Sequence, residues 1–111
     1  MLDFKIVLKQ IATVYPQCTC KCSQLEVINI FKMFYNMYEE YRGVKHPFLK
    51  NETMKIIIEK ISNDDVFEYK LEDYEVIIPK YFETEFSKCD YSICHFMSGN
   101  IRQMRYYEVC Y

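Results

Sequence analysis

The chain has 111 residues, half of them hydrophobic, which is apolar material for one core and predicts a single domain over residues 1–111. Its formal net charge of −2 excludes a whole-chain basic footprint for nucleic acid. Lysine outnumbers arginine 11 to 3, and there are two glycines and one alanine, a mix that AT-rich codons encode and that points to a low-GC bacterium, its phages and mobile elements, or an AT-rich virus.

Residues 3–15 carry Phe4, Val7, Leu8, Ile11, Val14 and Tyr15 at helical spacing, with Lys5, Lys9, Gln10 and Thr13 opposite. Asp3 is placed to cap this helix and Pro16 to end it. The residues before Lys5 include no basic n-region, and Lys5, Lys9 and Gln10 break the apolar run, so neither a secretory leader nor a membrane span is expected. The expected location is the cytoplasm, or the host cytoplasm for a phage or viral product. After the cysteine-rich segment 18–22, Ser23-Gln24-Leu25-Glu26 is a capping-box pattern that opens a long helix over 24–42, with Gly43 just past its end. Its apolar face is predicted along Leu25, Ile28, Phe31, Phe34, Tyr38 and Tyr41, widened by Val27, Ile30, Met33 and Met37, so that it must be covered on more than one side and is the expected central element. A third helix is predicted over 51–61, with Asn51 as cap and Met54, Ile57, Ile58 and Ile61 inward.

The period then changes to two. Phe67, Tyr69 and Leu71, and after them Tyr74, Val76 and Ile78, alternate with polar neighbours around Glu72-Asp73, which predicts a β-hairpin ending at Pro79. Phe82, Phe86, Cys89 and Ile93 fit one helical face, with Asp90 capping a short helix over 91–97 as the alternative, and Ser98-Gly99-Asn100 is a break. Residues 101–109 read as a helix, with a strand over 106–111 as the alternative. The expected class is therefore α+β: three N-terminal helices, an acidic β-hairpin and a C-terminal helical lobe.

Cys18, Cys20 and Cys22 alternate in one loop, while Cys89, Cys94 and Cys110 lie in the last quarter. In a reducing compartment these are free thiols or metal ligands. A structural zinc bound by two of the loop cysteines with Cys89, Cys94 or His95 would staple the loop to the C-terminal lobe. Against it stand the spacing, since only Cys18 and Cys22 have the separation common in zinc sites, and the ordinary role of buried cysteine as a small apolar side chain. Cys94 and His95 are adjacent, about 100° apart on a helix, so they do not form a nucleophile and its base.

No Gly-rich phosphate loop, nucleophile elbow or metalloprotease helix is present, so no enzymatic activity is expected. Three helices and then a hairpin suggest a zinc-stabilised winged-helix DNA-binding regulator, with Arg102, Gln103 and Arg105 as a small basic face. The hairpin that would serve as the wing is acidic, however: residues 64–90 hold nine carboxylates and three lysines, a local charge of −6. Aromatic anchors among carboxylates suit a surface that docks on a basic protein. Glu68, Tyr69, Glu72, Asp73, Tyr74, Glu75, Tyr81, Glu83 and Glu85 are its candidate residues. The leading expectation is a non-enzymatic interaction protein, phage- or mobile-element-encoded, that inhibits a host nucleic-acid-handling enzyme. A host protein is its expected partner, with neither membrane nor nucleic acid expected in this reading, and nineteen aromatics would also serve a homodimer contact.

Overall fold

Helical start and stop signals dominate the backbone. The computed structural model describes residues 3–62 and 71–110, and these contain six α-helices and no strand. None of the helices is long and apolar enough to cross a membrane. Helix α1 spans Phe4–Val14, with the Asp3 carboxylate accepting the Lys5 N–H at 3.0 Å. Pro16 does not end it abruptly. The chain runs on through a 3-10 turn at Tyr15–Gln17, whose first positions tolerate proline's fixed φ and missing N–H. Helix α2 spans Gln24–Arg42. Its capping box is formed as the sequence predicts, Glu26 N–H to Ser23 Oγ at 3.1 Å and Ser23 N–H to Glu26 Oε1 at 3.0 Å. Gly43 closes it in the left-handed region (φ 73°), its N–H reaching Glu39 O. Helix α3 spans Asn51–Ser62 and buries Met54, Ile57, Ile58 and Ile61, the predicted face. Asn51 is not its cap: its Oδ1 accepts the Gln10 side-chain N–H at 2.9 Å.

The α+β expectation is overturned at α4, which spans Leu71–Glu83 as a continuous helix. Tyr69 and Glu68, on the first predicted strand, lie outside the described residues. Over Tyr74–Ile78, alternation and helical periodicity agree at both ends, and two positions between them separate the alternatives. Ile77 is fully buried and Val76 is 41% exposed, as a helix with Tyr74, Ile77, Ile78, Tyr81 and Phe82 inward requires. Glu72 and Asp73, expected in a hairpin turn, instead occupy the first helical turn, where carboxylates are stabilised by the helix dipole. Pro79 sits inside the helix and removes one backbone hydrogen bond without ending it. Helix α5 is a single turn, Ile93–Phe96, capped by Ser92 rather than Asp90, and α6 spans Ile101–Cys110, so Tyr106–Cys110 is helical and not strand.

Packing makes α4 rather than α2 the middle element, since α4 lies against both α2 and α6. Helix α1 packs on α2 and α3, and α3 reaches α5. Of the predicted apolar residues of α2, Val27, Ile30, Phe31, Phe34 and Tyr38 are buried, together with Tyr35, while Leu25 (66%) and Tyr41 (51%) at its two ends are exposed. Gln10, expected on the polar face of α1, is buried and donates to Leu49 O at 2.7 Å as well as to Asn51. Phe34 lies at the aromatic centre, with ring centroids 4.9 Å from Phe82, 5.1 Å from Phe96 and 5.8 Å from Tyr81.

The end of α3 is held by side chains from two other helices. Tyr74 OH donates to Ile61 O at 3.0 Å, and Arg102 Nη1 donates to Lys60 O and to Tyr74 OH, each at 3.0 Å. The last carbonyls of a helix have no partner within it, so in a buried setting they need such donors. Tyr74→Phe removes only the hydroxyl and leaves Ile61 O and one guanidinium N–H without that bond; it is expected to destabilise the protein by about 1–3 kcal/mol in urea unfolding. Val76→Ala, on the exposed side of the same helix, is expected to change stability by no more than about 0.5 kcal/mol.

Candidate functional site

The loop from α2 to α3 leaves apolar side chains without cover. Gly43 turns the chain sharply off α2, Pro47 stiffens the loop, and Val44 and Phe48 are 60% and 62% exposed. With Ile6 of α1, which is 46% exposed, they line an open groove of about 710 Å³ whose rim carries Glu39 and Lys45. These two form an ion pair, Nζ to Oε2 at 3.1 Å. A narrow cleft between α1 and α2, lined by Phe4, Val7, Tyr35 and Asn36, shares Glu39, Lys45 and His46 with the groove. The sequence marks this loop only as a connection between helices. It nevertheless holds a signal: Val44, Pro47 and Phe48 are apolar residues in a segment too short to bury them on itself.

His46 forms the groove's floor and is buried. Its ring stacks on Tyr35 (4.3 Å, 8°) and meets Phe34 and Tyr38 edge-on. The Ile93 N–H donates to Nε2 at 3.0 Å, so Nε2 holds the lone pair and the ring is the Nδ1–H tautomer, donating to Pro47 O at 2.8 Å. Burial depresses its pKa, against the Pro47 carbonyl and the Asp90 carboxylate, which favour the cation.

The structure divides the residues predicted to face a partner. Tyr74 and Tyr81 are fully buried and are not surface anchors, because α4 turns them into the core. Glu68 and Tyr69 lie outside the described residues. Glu72, Glu75 and Glu83 are exposed on the outer side of α4, Glu85 is exposed just beyond it, and Asp73 is half-buried. None of the four exposed carboxylates is in an ion pair with a described residue.

The cysteines fall into two groups. Cys18, Cys20 and Cys22 are half-buried beside α1 and α3, with Cys18 Sγ 3.3 Å from Val14 O. Burial, with Cys20 and Glu26 nearby, pushes the Cys22 thiol up to about 11; burial and Glu59 raise that of Cys18. Cys89 and Cys94 belong to the loop after α4 and to α5, Cys89 beside His95 and Tyr81, and Cys94 exposed. Among the described residues no three His, Cys, Asp or Glu side chains are grouped so as to hold a metal ion. The basic face expected at Arg102 and Arg105 is absent, since both side chains are buried. Arg102 serves the end of α3, and Arg105 is bidentate to Glu108 (3.1 and 2.7 Å) over the Phe86 ring. The winged-helix alternative thus loses both its wing and its arginines.

No protein-family model, curated protein or solved structure matches the chain.

The neutral His46 yields a signed pH prediction. Its folded-state pKa lies below the ordinary 6.5, so the unfolded chain binds the extra proton first. The stabilisation is complete above about pH 6.5 and is lost as pH falls through that value toward the folded-state pKa. The melting temperature is expected to drop between pH 7.5 and 5. His46→Phe should flatten that slope while costing about 1–3 kcal/mol at pH 7.5, because the Ile93 N–H loses its acceptor.

Proposed function

We propose that the protein is a non-enzymatic interaction module that binds a partner protein by burying Val44 and Phe48. The observation that carries this reading is the open apolar groove: two side chains more than half exposed, on a floor held rigid by His46. An exposed aromatic beside a preformed concavity is the arrangement in which truncation of one residue removes most of the binding energy.

In its specific form the partner is a nucleic-acid-handling enzyme of a host cell, and the protein is a phage- or mobile-element inhibitor that occludes it. Support for that form comes from the exposed Glu72, Glu75, Glu83 and Glu85, and from the AT-rich composition. Carboxylates on such a rim accelerate encounter with a basic surface more than they add affinity.

Isolation of the partner by affinity capture, and then calorimetry with purified variants, tests both levels. Phe48→Asp is expected to weaken binding by about 30-fold or more, a loss of about 2 kcal/mol. The combined Glu72→Lys, Glu75→Lys and Glu83→Lys variant is expected to slow association and to reverse its salt dependence. Unchanged affinity in Phe48→Asp removes the groove from the interface, and an unchanged association rate in the lysine variant removes the basic partner. Saturable binding of mixed-sequence duplex DNA at moderate salt would replace the reading with a nucleic-acid function.

A further inference from the structure

Cys89, His95 and Tyr81 meet where the end of α4, the loop 84–92 and α5 converge. Cys89 Sγ lies 3.1 Å from His95 Nδ1, and Tyr81 OH lies 2.7 Å from the same nitrogen and 3.7 Å from Sγ. The backbone N–H of Tyr91 donates to Sγ at 3.2 Å. A sequence spacing of six residues is neighbourly on neither helix nor strand. The loop achieves it with Lys88 and Tyr91 both in the left-handed region (φ 54°), which non-glycine residues enter at a cost and which concentrates at functional sites. Its own hydrogen bonds fix it there. Tyr91 OH accepts from Phe86 N–H (3.0 Å) and donates to Thr84 O (2.8 Å), and Asp90 Oδ1 accepts from Ser92 N–H (3.0 Å).

The proton arithmetic of this cluster distinguishes two states. When Nδ1 holds a lone pair, the Tyr81 O–H is its nearest donor at 2.7 Å, and the Cys89 S–H then has the longer contact to the Tyr81 oxygen at 3.7 Å. Moving the thiol proton to Nδ1 replaces that long contact with bonds to an ion. The imidazolium N–H, the Tyr91 N–H and the Tyr81 O–H can then all be directed at one anionic sulfur, and hydrogen bonds to an ion are the strong ones. Asp90 and Lys88 flank the sulfur along the chain. From α6, Arg105 is engaged with Glu108 and the Phe86 ring, and from α2, Arg42 lies over the Tyr91 ring at 5.5 Å. Tyr81 is fully buried and the rings of Phe86 and Tyr91 close the sides, while Cys89 and His95 are half-buried, so a small reagent has access and a large one does not.

We propose that Cys89 is a reactive thiol, held as a thiolate by His95, whose co-reactant is a small hydroperoxide. The sulfur lone pair attacks the hydroxyl oxygen of R–O–O–H, so the S–O bond forms as the O–O bond breaks. Sulfur is oxidised by two electrons to the sulfenic acid, and the peroxide is reduced. The departing alkoxide, or hydroxide for hydrogen peroxide, takes the proton from His95 Nδ1 and leaves as alcohol or water.

The test uses the native chain with peptide-resolved mass spectrometry, which reads each of the six cysteines separately. Hydrogen peroxide and then dimedone is expected to trap Cys89 first. Iodoacetamide labelling from about pH 5.5 to 9 should give Cys89 a rate that is already on its plateau near pH 7, and at about pH 6.5 roughly tenfold or more above that of the exposed Cys94. His95→Asn keeps a hydrogen-bonding group at the Nδ1 position but cannot hold the proton; it should bring the Cys89 rate in the same acidic buffer down to that of Cys94 and leave Cys94 itself unchanged. Should this variant fail to fold, the wild-type profile decides alone. A Cys89 rate that rises in step with Cys94 above about pH 8, or dimedone trapping spread evenly over all the thiols, overturns the proposal.

Discussion

The buried guanidinium of Arg102 is the constraint around which the other helices are arranged. A charge in an apolar interior costs several kcal/mol unless its donors are used, and here they are used on the carbonyl end of α3 and on Tyr74 OH. The arrangement also answers a problem α3 would otherwise have, because the negative end of its dipole and its unpaired carbonyls face the interior. One cation, one phenol and two carbonyls thus fix where α3 ends relative to α4 and α6, and they do so across 42 residues of sequence for the longest of these bonds. With α4 pinned there, the same inward face two turns further on packs against α2, where Phe34, Tyr81, Phe82 and Phe96 cluster.

The features legible in the sequence are local ones. The α2 boundaries come from Ser23, Glu26 and Gly43, each acting within one helical turn, and the inward face of α3 comes from four apolar residues at unambiguous spacing. The illegible features depend on distant partners or on a short ambiguous window. In α4 the decisive positions are Ile77 and Val76, and Pro79 argues for the wrong answer because a proline inside a helix is normally a terminator. Arg102 and Arg105 read as a basic face because nothing near them in sequence announces Lys60 O, Tyr74 OH or the Phe86 ring as partners. The Cys89–His95 contact requires two left-handed residues without glycine, which no local rule selects.

Several kinds of surface chemistry lie on different segments: Val44 and Phe48 expose apolar surface on the 43–48 loop, Glu72, Glu75 and Glu83 expose carboxylates on the outer side of α4, and Cys89 lies on the loop that leaves α4. The Cys18–Cys22 loop takes no part in this: its thiols pack beside α1 and α3, and the raised pKa values of Cys18 and Cys22 keep those two unreactive. The five cysteines whose side chains are described thus sit in different surroundings.

His46 belongs to two of these regions at once. One edge of its imidazole lies under the groove, and the other holds the first amide of α5, the helix that carries His95 two residues later. A ligand that tilts this ring draws on the same hydrogen bond that positions α5. The ring is thus both a wall of the groove and the acceptor that holds α5, through one 3.0 Å hydrogen bond between residues 47 apart in sequence.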